Sequence, residues 1–212
     1  MKTCNPLARR YTQCILHVAC AMALAAVSTA ALAHDDHGDE IGPPRVPANI
    51  QVLGNRVFFV GHAVGTQNYV CLPSGTNFKY TLFTPQATLF NDADKEVTTH
   101  YFSPNPDEPG NPVRATWQHS RDTSTVWGKV PDGDSSSDPN FVKPGAIAWL
   151  RVTVVGRAEG PNGGDALYKT TFIQRVNTSG GLAPPTGCAS AADVGRQAFM
   201  PYTADYFFYT DR

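Results

Sequence analysis

The feature that most constrains the fold of this chain is a set of nine short runs. In each run, apolar and polar residues alternate. The runs are rich in Val, Ile, Thr and aromatic residues, and they lie at 57–64, 67–72, 78–83, 97–102, 113–118, 125–130, 148–155, 167–178 and 203–210. Side chains of a β-strand point alternately to its two faces, so a period of two indicates strands. Segments rich in Gly, Pro and Asn separate the runs and predict turns rather than crossover helices.

This pattern predicts an all-β domain at residues 49–212. Many short strands without helices bury their apolar faces by packing sheet on sheet or by closing a barrel. We expect a single antiparallel β-sandwich or jelly-roll-like domain with long loops and few or no helices. The two longest loops, residues 103–112 and 131–145, are polar and rich in Pro, and loops of this length in a compact domain are often functional.

The first 33 residues have the organisation of a signal peptide. Lys2, Arg9 and Arg10 precede an apolar run over 14–32, which ends in the small-residue sequence Ala-Leu-Ala at 31–33. Cleavage after residue 33 predicts an exported protein, periplasmic or extracellular, with no transmembrane segment in the mature chain. An uncleaved membrane anchor is the alternative. Residues 34–48 are charged and Pro-rich, which predicts a flexible N-terminal arm.

Charge and cysteine content narrow the chemistry after this cleavage. The remaining chain has 14 basic and 18 acidic residues, a formal net charge of −4, and this balance predicts no binding to nucleic acid. Two cysteines remain, Cys71 and Cys188. In an oxidising compartment they predict one disulfide that joins residues 117 positions apart, and two buried free thiols are the alternative.

Six sequence blocks carry a family resemblance. They lie at 65–71, at 85–89, at His100 with Thr116 and Trp117, at 147–150, at 174–181 with Pro184 and Cys188, and at 202–209. In this order they resemble an exported family of bacteria and fungi, the domain of unknown function 3455 family. The resemblance implies an exported single-domain protein, supports pairing of the two cysteines, and implies no particular activity.

Histidines are the first candidates for a functional site. Imidazole is a common ligand of copper and zinc, so His62, His100 and His119 would form a metal site if the fold brought them together. His34 would become the N-terminal residue after cleavage, and its amine and ring nitrogen could chelate copper. No paired metal-ligand spacing supports either site. The alternative is that His62 and His100 are half-buried, hydrogen-bonded strand residues.

Aromatic residues are the second candidates. Rings near the polar loops can stack on sugars or on small apolar molecules, and neighbouring polar side chains can supply hydrogen bonds. The alternative is that most strand aromatics belong to the core. The candidate ligand-binding residues are Gln67, Tyr69, His100, Trp117, Trp127 and Arg175.

Two classes of function follow from these candidates. The first is a non-catalytic module that binds a carbohydrate or small apolar ligand or associates with the envelope. The second is a small secreted metalloenzyme that uses the histidines with copper or zinc. The sequence requires no cofactor, specifies no oligomeric state, and lacks the G-x-S-x-G motif of serine hydrolases.

Overall fold

Nine β-strands and two single-turn 3₁₀ helices form the described part of the chain, which comprises residue 42 and residues 44–212 of a computed structural model. The 3₁₀ helices are Ala48–Ile50 and Ala191–Asp193. The strands are β1 Asn55–Ser74, β2 Asn77–Phe90, β3 Glu96–Pro104, β4 Val113–His119, β5 Thr125–Lys129, β6 Ser135–Ser136, β7 Trp149–Ala158, β8 Phe172–Gly180 and β9 Gln197–Asp211.

The sheet closes into an eight-stranded antiparallel barrel. Its strand order is β5-β4-β3-β2-β1-β9-β8-β7, and β5 also pairs with β7, while the two-residue β6 pairs with β7 outside the ring. The all-β prediction with almost no helix is therefore right, but the predicted sandwich or jelly roll is wrong. The pairing of Thr125 with Ala158 and of Lys129 with Thr153 joins what would be two sheet edges.

One predicted break between strands is absent from the fold. The predicted runs 57–64 and 67–72 are one continuous strand, β1, because Gly65 and Thr66 stay extended and pair on both sides. An added Cβ at Gly65 would lie 2.1 Å from the Gln86 carbonyl oxygen, so only Gly allows this approach of β1 to β2. The resulting 20-residue strand binds β2 along one edge and β9 along the other.

The barrel interior is filled at one end only. We call the apolar cluster at the filled end the lower core. It contains Leu89, Val126 and Phe208, and Leu167 from the β7–β8 loop is fully buried with them. The Asp122 carboxylate fixes this loop, because its Oδ2 accepts the Ala166 N–H at 2.8 Å. At the opposite end, near the β1–β2 hairpin, side chains leave space.

A second apolar cluster covers the outside of β7 and β8. Val46, Ile50, Val142, Trp149 and Val176 are buried there. The Gln174 side chain holds the N-terminal segment in place by donating to the Ile50 carbonyl oxygen. The arm predicted at 34–48 is described only at residue 42 and from residue 44 onward, and Val46 and Pro47 are buried.

Two further predictions concern the export of the chain. The signal peptide at 1–33 lies outside the described residues, as does His34. Cys71 and Cys188 are placed as a disulfide, with Cα atoms 5.5 Å apart, which is within the usual range. Between residues 44 and 212 no helix has the length and apolar character needed to span a membrane.

Candidate functional site

A cavity of about 470 Å³ occupies the unfilled end of the barrel. Its walls come from strands β1, β2, β3, β4, β7, β8 and β9, and from the segments before β7 and after β8. The lining residues are Gln67, Tyr69, Leu82, Pro85, His100, Phe102, Ala115, Trp117, Val130, Ser137, Ala146, Ile147, Ala148, Leu150, Val152, Arg175, Leu182 and Tyr206.

Five of the six predicted ligand-binding residues line this cavity. They come from four different strands and are Gln67, Tyr69, His100, Trp117 and Arg175. Trp127 lies elsewhere. It neighbours Val126 of the interior core, so alternation along β5 places it on the outer face, where its indole Nε1 donates to Ser103 Oγ at 2.9 Å.

His100 and Trp117 form one side of the cavity as a stacked pair. They face each other across β3 and β4, with ring centroids 4.2 Å apart and an interplanar angle of 9°. The segment between them is therefore a β-hairpin with its loop at 105–112, and it leaves the two rings adjacent.

His100 is a neutral hydrogen-bond acceptor at pH 7. Its Nδ1 lies 2.9 Å from the Thr116 carbonyl oxygen, which can only accept, so Nδ1 carries the proton and Nε2 keeps a lone pair. Burial lowers the pKa of His100 to about 3; the nearby Arg175 charge also lowers it, while the Thr116 hydrogen bond opposes the shift.

Among the described residues, Arg175 is the only cationic side chain that lines the cavity. It faces Tyr206 on β9, and its Nη2 donates to the Ala148 carbonyl oxygen at 2.8 Å. No acidic residue is among the described lining residues, and no carboxylate in residues 44–212 lies within ion-pair distance of the guanidinium. The cavity therefore carries a net positive charge.

Three buried N–H donors that belong to lining residues make no hydrogen bond of normal geometry within the described chain, although Gln67 lies beside the Tyr202 hydroxyl and Arg175 beside the Tyr206 hydroxyl. The three donors are Gln67 Nε2, Trp117 Nε1 and Arg175 Nε. A buried unpaired donor costs about 1–3 kcal/mol, and native proteins contain few of them. Three of them lie around this one cavity, which makes it the candidate site.

Tyr206, which lines the cavity, lies next to a second buried tyrosine, Tyr202. The hydroxyl groups of Tyr202 and Tyr206 lie 3.3 Å apart, and both side chains are almost fully buried. Burial raises the pKa of both phenols, and the Arg175 charge opposes this shift in each. Both hydroxyls are therefore protonated at neutral pH and can serve as donors or acceptors.

Gly181 shapes the wall beside Tyr69. The Tyr69 hydroxyl donates to the Gly181 carbonyl oxygen at 2.7 Å, which fixes the phenol ring at the cavity. Gly181 has a φ of +83°, and an added Cβ would lie 2.9 Å from Tyr202 Cβ and 3.2 Å from Gln67 Cγ. Both constraints require Gly at this position.

The rim of the cavity is apolar and open to solvent. Leu82, Val130 and Leu182 line it, and they are 37%, 40% and 47% exposed. Exposed large apolar side chains grouped around a concave site are typical of ligand entrances. Val130 and Ser137 belong to the segment between β5 and β7, so the predicted loop at 131–145 borders this cavity.

The three described histidines lie in separate environments. His62 Nδ1 is 2.7 Å from Asp205 Oδ1 and its Nε2 is 2.9 Å from Asp92 Oδ1, while His119 Nδ1 is 3.0 Å from Asp122 Oδ1. In the part of the chain that the structure describes, no group of three or more His, Cys, Asp or Glu side chains could hold a metal ion. The predicted metal sites thus stay hypotheses.

A larger depression, about 750 Å³, is lined by residues of β1, β2 and β3. Val64, Thr66, Thr88 and Thr99 contribute to it, and it is more open than the barrel cavity. None of the unpartnered donors on Gln67, Trp117 or Arg175 belongs to its lining. The barrel cavity is therefore the stronger candidate site.

A comparison with known protein families gives a match over nearly the whole barrel. A family model described as "Protein of unknown function (DUF3455)" matches residues 53–210. The chain belongs to the DUF3455 family. This match confirms the resemblance inferred from the six sequence blocks. No curated protein and no solved structure matches the chain.

The DUF3455 match covers β1 to β8 completely and all of β9 except Asp211, so the candidate site lies inside it. Sequence reasoning missed Tyr206 as a site residue. Alternation along β9 could have identified it, because Tyr202, Tyr206 and Phe208 share one face of that strand. Leu82, Val130 and Leu182 carry no comparable sequence signal.

Proposed function

We propose that this DUF3455 protein is a non-catalytic binding module that holds a small, largely apolar molecule in its barrel cavity. The observation that carries this proposal is the set of unpartnered donors on Gln67, Trp117 and Arg175 around one apolar cavity. Small-molecule sites commonly combine an apolar lining with a few polar groups that orient the ligand.

An organic ligand explains these donors better than water does. A buried water typically makes about three hydrogen bonds and is stable only where two to four polar groups surround it. Most lining residues here are apolar or aromatic, including Leu82, Phe102, Ile147 and Val152. A ligand with an apolar body would bury these surfaces, and its acceptor atoms would pair with the donors.

The predicted signal peptide sets where binding would occur. Cleavage after residue 33 would release the module into the periplasm or the extracellular space. There it would meet small molecules that enter or leave the cell, and envelope association would follow from contact with components of that compartment.

Fluorescence of N-phenyl-1-naphthylamine tests the proposal, because this neutral probe emits strongly only when it leaves water. We expect saturable one-to-one binding to the wild-type protein. Ala148→Trp fills the cavity and is expected to weaken binding at least tenfold, whereas Ala93→Trp, in the exposed β2–β3 turn, leaves it unchanged. Ala148→Leu serves as a milder replacement if the tryptophan prevents folding.

The proposal fails if probe binding does not saturate, or if the Ala148 variants bind as tightly as the wild type. Thermal unfolding of each variant shows whether it is folded under the conditions of the titration.

A further inference from the structure

We infer that the ligand of the barrel cavity is a monocarboxylate with an apolar or aromatic body, bound through Arg175. This inference rests on the proposed binding function and adds the chemical class of the ligand. Three features support it: the unpaired charge of Arg175, the burial of unpartnered donors beside it, and the presence of a single cationic group among the described lining residues.

The charge is the first feature. Arg175 is half-buried. A guanidinium that is partly withdrawn from water without a counterion is costly, and such groups in proteins are normally paired. Arg175 donates to one backbone oxygen, Ala148 O, but no carboxylate in residues 44–212 reaches it. An anionic ligand would supply the missing counterion.

Burial is the second feature. The Arg175 Nε atom is buried and unpartnered, and it belongs to a residue that lines the cavity. Arginine presents planar N–H groups that match the two oxygens of a carboxylate. Trp117 Nε1 and Gln67 Nε2 are also unpartnered in the same lining, so acceptor oxygens on the ligand would find further donors.

The number of cationic groups limits the ligand charge to one. In the part of the lining that the structure describes, Arg175 is the only Lys or Arg, and His100 is neutral because burial holds its pKa far below 7. A phosphate monoester, which carries close to two charges at neutral pH, would keep one of them unpaired. A carboxylate leaves neither side with an uncompensated charge.

The apolar body of the ligand follows from the remaining walls. The stacked His100–Trp117 pair presents aromatic surface, and Leu82, Val130 and Leu182 form the entrance. With about 470 Å³ available, a bicyclic aromatic acid or a medium-length aliphatic acid fits.

Competition against N-phenyl-1-naphthylamine at pH 7 tests the inference with three probes of the same shape. These are 2-naphthoate, its neutral analogue 2-naphthamide, and 2-naphthyl phosphate. We expect 2-naphthoate to compete at least tenfold more strongly than 2-naphthamide and more strongly than 2-naphthyl phosphate. In Arg175→Gln, 2-naphthoate should compete no more strongly than 2-naphthamide. In Arg175→Lys, part of the preference for 2-naphthoate over 2-naphthamide should remain.

Arg56→Gln is the matched control, because it removes the same charge from an exposed position on β1 and should leave the preference intact. Equal competition by acid and amide overturns the carboxylate inference while the binding function stands. Tighter binding of the phosphate also overturns it. If the fluorescent probe itself does not bind, the binding function fails. The acid–amide comparison on the wild type decides the matter even if the Arg175 variants do not fold.

Discussion

The buried His100 is expected to make the stability of this protein depend on pH. Its ring is stacked on Trp117 and donates to the Thr116 carbonyl oxygen, and burial lowers its pKa to about 3 from an ordinary value of 6.5. His100→Asn removes the titrating group, and its shorter amide can still donate to the Thr116 oxygen. The variant therefore isolates the contribution of the imidazole proton.

The sign and size of the effect follow from linkage between proton binding and folding. Between pH 6.5 and pH 3 the unfolded chain binds a proton at His100 that the folded protein does not bind. The stabilisation that comes from keeping His100 neutral is therefore fully present above 6.5, the pKa of His100 in the unfolded chain. It is lost as the pH falls from there toward 3. From pH 7.0 to pH 5.5 the loss is roughly 1 kcal/mol. This amount depends mainly on the unfolded pKa, because the folded pKa lies far below pH 5.5.

Urea unfolding followed by far-ultraviolet circular dichroism at pH 7.0 and pH 5.5 provides the measurement. Between the two pH values, the free energy of unfolding should fall by roughly 1 kcal/mol more in the wild type than in His100→Asn. All other titrating groups are present in both proteins and cancel in this difference, including His62, whose effect has the opposite sign. Equal pH dependence in the two proteins would refute the assignment of His100 as a buried neutral imidazole.

Three further predictions concern other parts of the barrel. Hydrogen bonds that the His62 ring donates to Asp205 and Asp92 raise its pKa, so the stabilisation they give is lost as the pH rises above 6.5. Urea unfolding from pH 6 to pH 8 should show a smaller loss of unfolding free energy in His62→Gln than in the wild type, and equal losses would contradict this. Replacing Cys71 and Cys188 together by Ser should lower the free energy of unfolding by up to about 5 kcal/mol, because the disulfide joins residues 117 positions apart. A loss below about 1 kcal/mol in non-reducing buffer would argue against a formed disulfide. Leu89→Ala, at a fully buried position, should lower the free energy of unfolding by about 2–5 kcal/mol in the same assay. Leu53→Ala, at an exposed position, should lower it by less than about 0.5 kcal/mol. Similar losses in the two variants would show that the interior is not packed as described.

Much of the strand content was predictable from alternation alone. The runs at 97–102, 113–118, 125–130 and 148–155 correspond closely to β3, β4, β5 and β7. The run at 167–178 began too early, because residues 167–171 belong to the loop that covers the lower core, where Leu167 is buried among other apolar side chains. An apolar loop residue of this kind has the same local signal as a strand residue.

Barrel closure was not predictable in the same way. Alternation assigns side chains to faces, but the pairing of β5 with β7 depends on which strand edges meet after the sheet coils. Gly65 illustrates the difficulty. In the sequence it indicates a turn, whereas in the fold it permits close contact of β1 with β2 and keeps β1 continuous.

The candidate site was partly predictable for a related reason. Gln67, Tyr69, His100, Trp117 and Arg175 were chosen for their chemistry, and the barrel brings all five to one cavity. Trp127 was chosen on the same grounds, yet it lies on the outer face because alternation along β5 runs through Val126. Side-chain chemistry identifies candidates, and only the strand register assigns each of them to the interior or the exterior.

The position of β1 between β2 and β9 has a consequence for biosynthesis. Its register with β9 runs from Asn55 opposite Asp211 to Val70 opposite Gln197, so one whole edge of β1 lacks a partner until the ribosome has translated β9. Nascent chains that stall before residue 197 would present that edge to other polypeptides and would be prone to aggregate. Chaperone binding to such stalled chains is therefore expected to persist until β9 has been translated and is free to pair.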